Sequence, residues 1–68
     1  NSDREAILKL QDRLIELGYM DPPGDGIYGY WTRACVLEFQ RRAELPQTGT
    51  ADENTMQALY AENAPKGG

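Results

Sequence analysis

The chain has no histidine and one cysteine among its 68 residues. Without an imidazole there is no Ser-His or Cys-His nucleophile pair, and the commonest zinc ligand is missing. One cysteine cannot close an intramolecular disulfide, so no covalent staple reinforces the core. Basic residues are also scarce. Seven Lys and Arg stand against eleven Asp and Glu, with a net charge of −4. That is the wrong sign for neutralising phosphates, so neither nucleic acid nor an anionic membrane surface is an expected partner. No apolar run is long enough to cross a bilayer, and the first residues carry no apolar signal-peptide region. Neither observation fixes a compartment. The length allows one small domain, of a size that buries only about 60% of its unfolded surface. A self-contained enzyme is not expected, and no cofactor or metal is called for.

What is present patterns as three helices. Ser2 and Glu5 fit a capping box ahead of an apolar stripe at Ile7, Leu10, Leu14 and Leu17. Leu8 and Ile15 widen that stripe, with Gln11 between them. Gly18 suits the left-handed residue past the helix end, and Tyr19 follows where it can fold back onto Leu14. Two prolines and three glycines over 20–29 predict an irregular loop. A second helix is expected over 30–43, with Cys35, Val36, Phe39 and Ala43 inward and Glu38, Arg41 and Arg42 outward. Asp52 is a good N-cap for a third helix that turns Met56, Leu59 and Tyr60 to the core. Residues 1–62 read as the domain and 63–68 as a flexible tail or linker. The expected fold is all-α, a compact three-helix bundle.

The chain also echoes itself. Residues 25–32 align with 48–55, pairing Gly26 with Gly49 and Thr32 with Thr55, while Leu10-Gln11 upstream matches Phe39-Gln40. This reads as two helix–turn–helix half-units sharing the middle helix. Gly29 then stands at the cap position that Asp52 holds in the second copy. Thr32 and Thr55 both fall at the third helical position, where a hydroxyl can bond nearby backbone.

Three linked stretches carry a resemblance. They are Leu10-Gln11-x-x-Leu14-x-x-Leu17-Gly18-Tyr19; then Asp25-Gly26-x-Tyr28-Gly29-x-x-Thr32-x-x-x-Val36-x-x-Phe39-Gln40; then Leu45-Pro46-x-Thr48-Gly49-x-x-Asp52-x-x-Thr55-x-x-x-Leu59. In this order and spacing the chain resembles the peptidoglycan-binding-like domain over residues 5–60. The resemblance implies a three-helix module that attaches to bacterial cell wall without cleaving it. It also implies a covalently linked catalytic domain of amidase, lytic transglycosylase, carboxypeptidase or L,D-transpeptidase type, in an extracytoplasmic setting, with the module itself a monomer. The alternative is a protein-interaction or regulatory module on the same fold. Three departures stand out: Tyr30-Trp31 replaces a common Pro and polar residue, Cys35 replaces an alanine, and Ala43-Glu44 replaces the usual Asn-Gly.

The candidate ligand-binding residues are Asp25, Tyr28, Tyr30, Trp31, Gln11 and Gln40. Aromatics beside a glycine-rich loop suit sugar rings or peptide methyls, because they offer apolar area at low entropic cost. Tyr28 could equally pack over the first helix as core. Asp25 could accept from a ligand amine or hydroxyl, or bond its own loop as an Asx turn. Gln11 and Gln40 could reach a ligand amide, or tie the loops to the helices. Residues 21–32 have the length of a calcium loop, but Pro23 and Thr32 replace two ligands it needs. Cys35 lies on an apolar stripe with no base to activate it, and reads as a small core residue.

Overall fold

The computed structural model describes residues 2–67, with side chains from Arg4 onward; the capping box on Ser2 lies outside the described residues. Three helices follow one another: α1 (Ser2–Leu17), α2 (Tyr30–Arg42) and α3 (Glu53–Leu59). Each arises where its pattern predicts. On α1 the residues Leu10, Leu14 and Leu17 are buried, and α2 brings Cys35, Val36 and Phe39 to meet them. Leu59 of α3 and Met20 of the following loop close the core. Phe39 is wholly enclosed, with the Tyr19 ring edge-on to it at 5.4 Å.

The helix ends are set by local chemistry. Gly18 has φ 95°; its N–H donates to Ile15 O and the Tyr19 N–H donates to Leu14 O. These two bonds make a Schellman stop. The Tyr19 ring packs against the core cluster that includes Leu14 and meets Phe39 edge-on. The end of α2 repeats the stop without a glycine. The Glu44 N–H donates to Arg41 O and the Leu45 N–H to Gln40 O, with Glu44 held at φ 60°. A side chain in that region sits too close to its own backbone and costs about 1 kcal/mol. Glu44→Gly is therefore expected to stabilise the domain by about 1 kcal/mol, read as a higher urea midpoint. An unchanged or lower midpoint would show that the turn carries no such strain.

One expectation is corrected here. Tyr60 does not face the core: α3 ends at Leu59, and Tyr60 is 51% exposed. Arg13 of α1 decides this by donating to the terminal carbonyls of Leu59 and Ala61, at 2.6 and 3.4 Å. The Tyr60 ring then lies under that guanidinium at 5.7 Å, and its hydroxyl donates to Lys9 O. The stretch read as a flexible tail or linker makes contacts with the domain. As far as Gly67 it lies along the domain: Tyr19 Oη donates to Pro65 O at 2.7 Å, and the Gly67 N–H donates to Leu17 O at 2.8 Å. Ala64 packs against the core beside them.

Candidate functional site

The internal echo is physical. Gln11 is fully buried, and its carbonyl accepts the Gly26 N–H at 2.8 Å. Its amide nitrogen lies 2.9 Å from Thr32 Oγ1, 3.1 Å from Ile27 O and 2.9 Å from Asp25 Oδ1. Gln40 is equally buried and takes the corresponding partners. Its carbonyl accepts the Gly49 N–H, and its amide lies 3.0 Å from Thr55 Oγ1, 3.0 Å from Thr50 O and 3.1 Å from Thr48 Oγ1. Each glutamine reaches from a helix into the next turn and holds it by several bonds. Such a clasp suits an amide, which offers both donors and acceptors from one planar group.

The clasped glycines must be glycines. Gly26 and Gly49 have φ of 75° and 76°. Each also has an arginine laid over it: a Cβ on Gly26 would meet Arg4 Cγ at 2.8 Å, and one on Gly49 would meet Arg33 Cγ at 3.0 Å. Arg4 and Arg33 stand at the same distance before their glutamines, so the duplication extends to the residues that cover the turns. Asp25 and Thr48 match as well, each accepting the N–H two residues ahead, from Ile27 and Thr50.

Between the clasped turns and α1 lies a groove of about 460 Å³. Ala6, Ile7 and Leu10 of α1 form one wall, Tyr28 closes one side, and Thr50, Ala51 and Met56 form the other. Tyr28 is held across it, its hydroxyl donating to Gly49 O at 2.6 Å, so the first loop is tied to the second turn. Burial raises the Tyr28 pKa above its ordinary value, against the opposing pull of the Ala51 amide and the Arg33 charge.

The sequence-derived candidates separate into two groups. Gln11 and Gln40 have every polar atom engaged inside the fold, so they position the loops and present nothing to solvent. Asp25 makes the Asx turn with Ile27 and also accepts from Gln11. The Gln11 bond chiefly, then the Ile27 N–H and the Arg4 charge, hold its pKa below the ordinary carboxylate value. Both of those bonds use Oδ1, and the residue is exposed. Tyr28 both borders the groove and remains 36% exposed. Tyr30 and Trp31, the first residues of α2, are 89% and 44% exposed. Pattern reading placed Ile7 and Met56 in the core; both are half-buried and border the groove, and Met56 also packs against the core cluster. The echo held one signal for the site, since it sets Ala51 opposite Tyr28 and both border the groove. Nothing in it pointed to Ala6 or Thr50.

Known proteins extend the picture. The chain is 41% identical over 51 residues to a protein of Nostoc punctiforme named "Putative OxPP cycle protein OpcA". The alignment covers 75% of this chain and 11% of that protein, so the chain spans about a tenth of its length. No solved structure matches it. Residues 3–59 match the family described as "Putative peptidoglycan binding domain", a stretch that includes both glutamine clasps and every residue bordering the groove. The chain belongs to the peptidoglycan-binding domain family.

Proposed function

We propose that the chain is a non-catalytic module that binds peptidoglycan outside the cytoplasm and keeps an attached wall enzyme at its insoluble substrate. The enzyme would be of amidase, transglycosylase, carboxypeptidase or L,D-transpeptidase type. The family match over residues 3–59 carries this reading. The geometry supports it with an open groove and exposed aromatics on clasped, rigid turns. Tyr28, Tyr30, Trp31 and Asp25 are the proposed contacts, and Gln11 and Gln40 act on the ligand only by holding the loops. Tethering raises the local concentration of a linked enzyme without any new contact to its active site. A surface this small can bury little area, which keeps single-site affinity modest.

The experiment is co-sedimentation with purified insoluble sacculi. The protein is expected in the pellet, and Trp31→Ala is expected to weaken binding roughly tenfold, as truncation of an interface tryptophan commonly does. Protein left wholly in the supernatant at several pH values would overturn the reading.

A protein-interaction module is the second reading. The acidic balance of the chain and the exposed Tyr30-Trp31 pair, which departs from the family's usual residues, favour it. Under that reading, Trp31→Ala costs a protein partner and leaves sacculus sedimentation unaltered.

A further inference from the structure

The groove has a composition that bears on what it can hold. Its walls are aliphatic: Ala6, Ile7, Leu10, Ala51 and Met56. Two hydroxyls are the polar side-chain groups there, on Thr50 and Tyr28, and the Tyr28 O–H already donates its hydrogen bond to Gly49 O. A sugar ring brings many hydroxyls, each of which needs a partner once it leaves water. This groove supplies few. Methyl groups need none, and gain from an apolar wall.

The rim adds a cation. Among the described residues, Arg13 pairs with Glu16, and Arg41 and Arg42 share Glu38. Arg33 joins no ion pair there. It lies over Gly49, the residue whose carbonyl accepts the Tyr28 hydrogen bond, and its charge is felt by that phenol. A guanidinium laid over Gly49, the residue before the groove-lining Thr50 and Ala51, is complementary to a ligand with small apolar side chains and a carboxylate.

We propose that the groove binds the peptide component of its ligand and not the glycan. The ligand is a short stem peptide whose alanine methyls rest on Ile7, Leu10 and Met56 and whose terminal carboxylate meets Arg33. This rests on the wall-binding reading above and assigns the chemical part of the wall that the groove takes.

The test uses the 68-residue chain with three probes: intact sacculi, peptide-free glycan strands, and a free stem tetrapeptide ending in D-alanine. Binding to the soluble probes is followed by NMR titration. The tetrapeptide is expected to bind and to shift the methyl resonances of Ile7, Ala51 and Met56, and the stripped glycan is expected not to move them. Arg33→Gln keeps much of the stem over Gly49 and removes the charge. It is expected to weaken tetrapeptide binding about tenfold, the scale of one charge-assisted hydrogen bond. The same substitution should change nothing when the peptide ends in a carboxamide.

Sedimentation with intact sacculi together with equal shifts from peptide-free glycan would overturn the peptide assignment and leave wall binding standing. An Arg33→Gln loss that persists with the carboxamide would remove Arg33 as the carboxylate partner and overturn the proposal as stated. No binding to intact sacculi or to the tetrapeptide would overturn both readings. Unchanged dispersion of the amide spectrum in Arg33→Gln checks that the turn remains folded.

Discussion

Replacing Gln11 by leucine is expected to destabilise the domain by about 3 kcal/mol, although it removes no volume to speak of. Leucine fills nearly the same space, so the loss is not a cavity effect. What disappears is the clasp. The Gly26 N–H, bonded to Gln11 Oε1 inside the protein, becomes a buried donor without an acceptor. Ile27 O loses one of its two donors, and Thr32 Oγ1 loses the proton it accepts. Each orphaned interior group costs about 1–3 kcal/mol, whereas Asp25 is exposed and can turn to water. The expected signature is local as well as global. The Gly26 amide should lose its protection from hydrogen exchange, and Tyr28 should lose its fixed place on the groove. Gln40→Leu should do the same to the Gly49 amide and the 48–52 turn. The measurements are urea denaturation and amide exchange by NMR. A wild-type midpoint with Gly26 still protected would show that the loop holds its shape unaided.

Phe39→Ala is expected to cost more, about 3–5 kcal/mol. Phe39 is fully enclosed within the cluster that includes Leu14, Val36 and Leu59. A domain of this size has a total stability on the order of 3–10 kcal/mol, so the substitution removes a large part of it. There is no disulfide to hold the remainder, since Cys35 is free. The effect should also spread to the C-terminal stretch, because the Tyr19 ring that leans on Phe39 carries the hydroxyl that holds Pro65. Thermal unfolding followed by far-ultraviolet circular dichroism is the readout. A melting curve that coincides with the parent's would show that the core is centred elsewhere. Phe39→Leu, which keeps more of the packed volume, should fall between the two.

Much of the architecture was legible before the structure. The apolar stripes of α1 and α2 are local periodicities, and period maps directly to face. Caps are equally local, as Gly18 and Asp52 show. What was not legible lies where a distant residue intervened. Tyr60 continues the apolar pattern of α3, but Arg13 takes the carbonyls of Leu59 and Ala61 and the helix stops. Residues 63–67 have a linker's composition, yet Tyr19 and Leu17 hold them down. Neither partner is near in sequence, and no local pattern encodes such a meeting.

The candidate binding surface shows the same division. The duplicated pattern of Gln, Gly and Thr is written in the chain, and with it the two left-handed glycines that each turn requires. Residue types alone left the glutamines open to two readings, since an amide serves a ligand as well as a loop. Burial favours the second: both side chains are enclosed and fully bonded to the loops. The groove is bordered by residues far apart in the chain, and Tyr28 crosses to Gly49 to tie the first loop to the second turn beside it. The sequence by itself determined the helices, the caps at Gly18 and Asp52, the family and the repeat, because those depend on residues a few positions apart. Which polar groups face inward, where the tail lies and where the groove opens were decided by tertiary packing, because they depend on contacts between residues far apart along the chain.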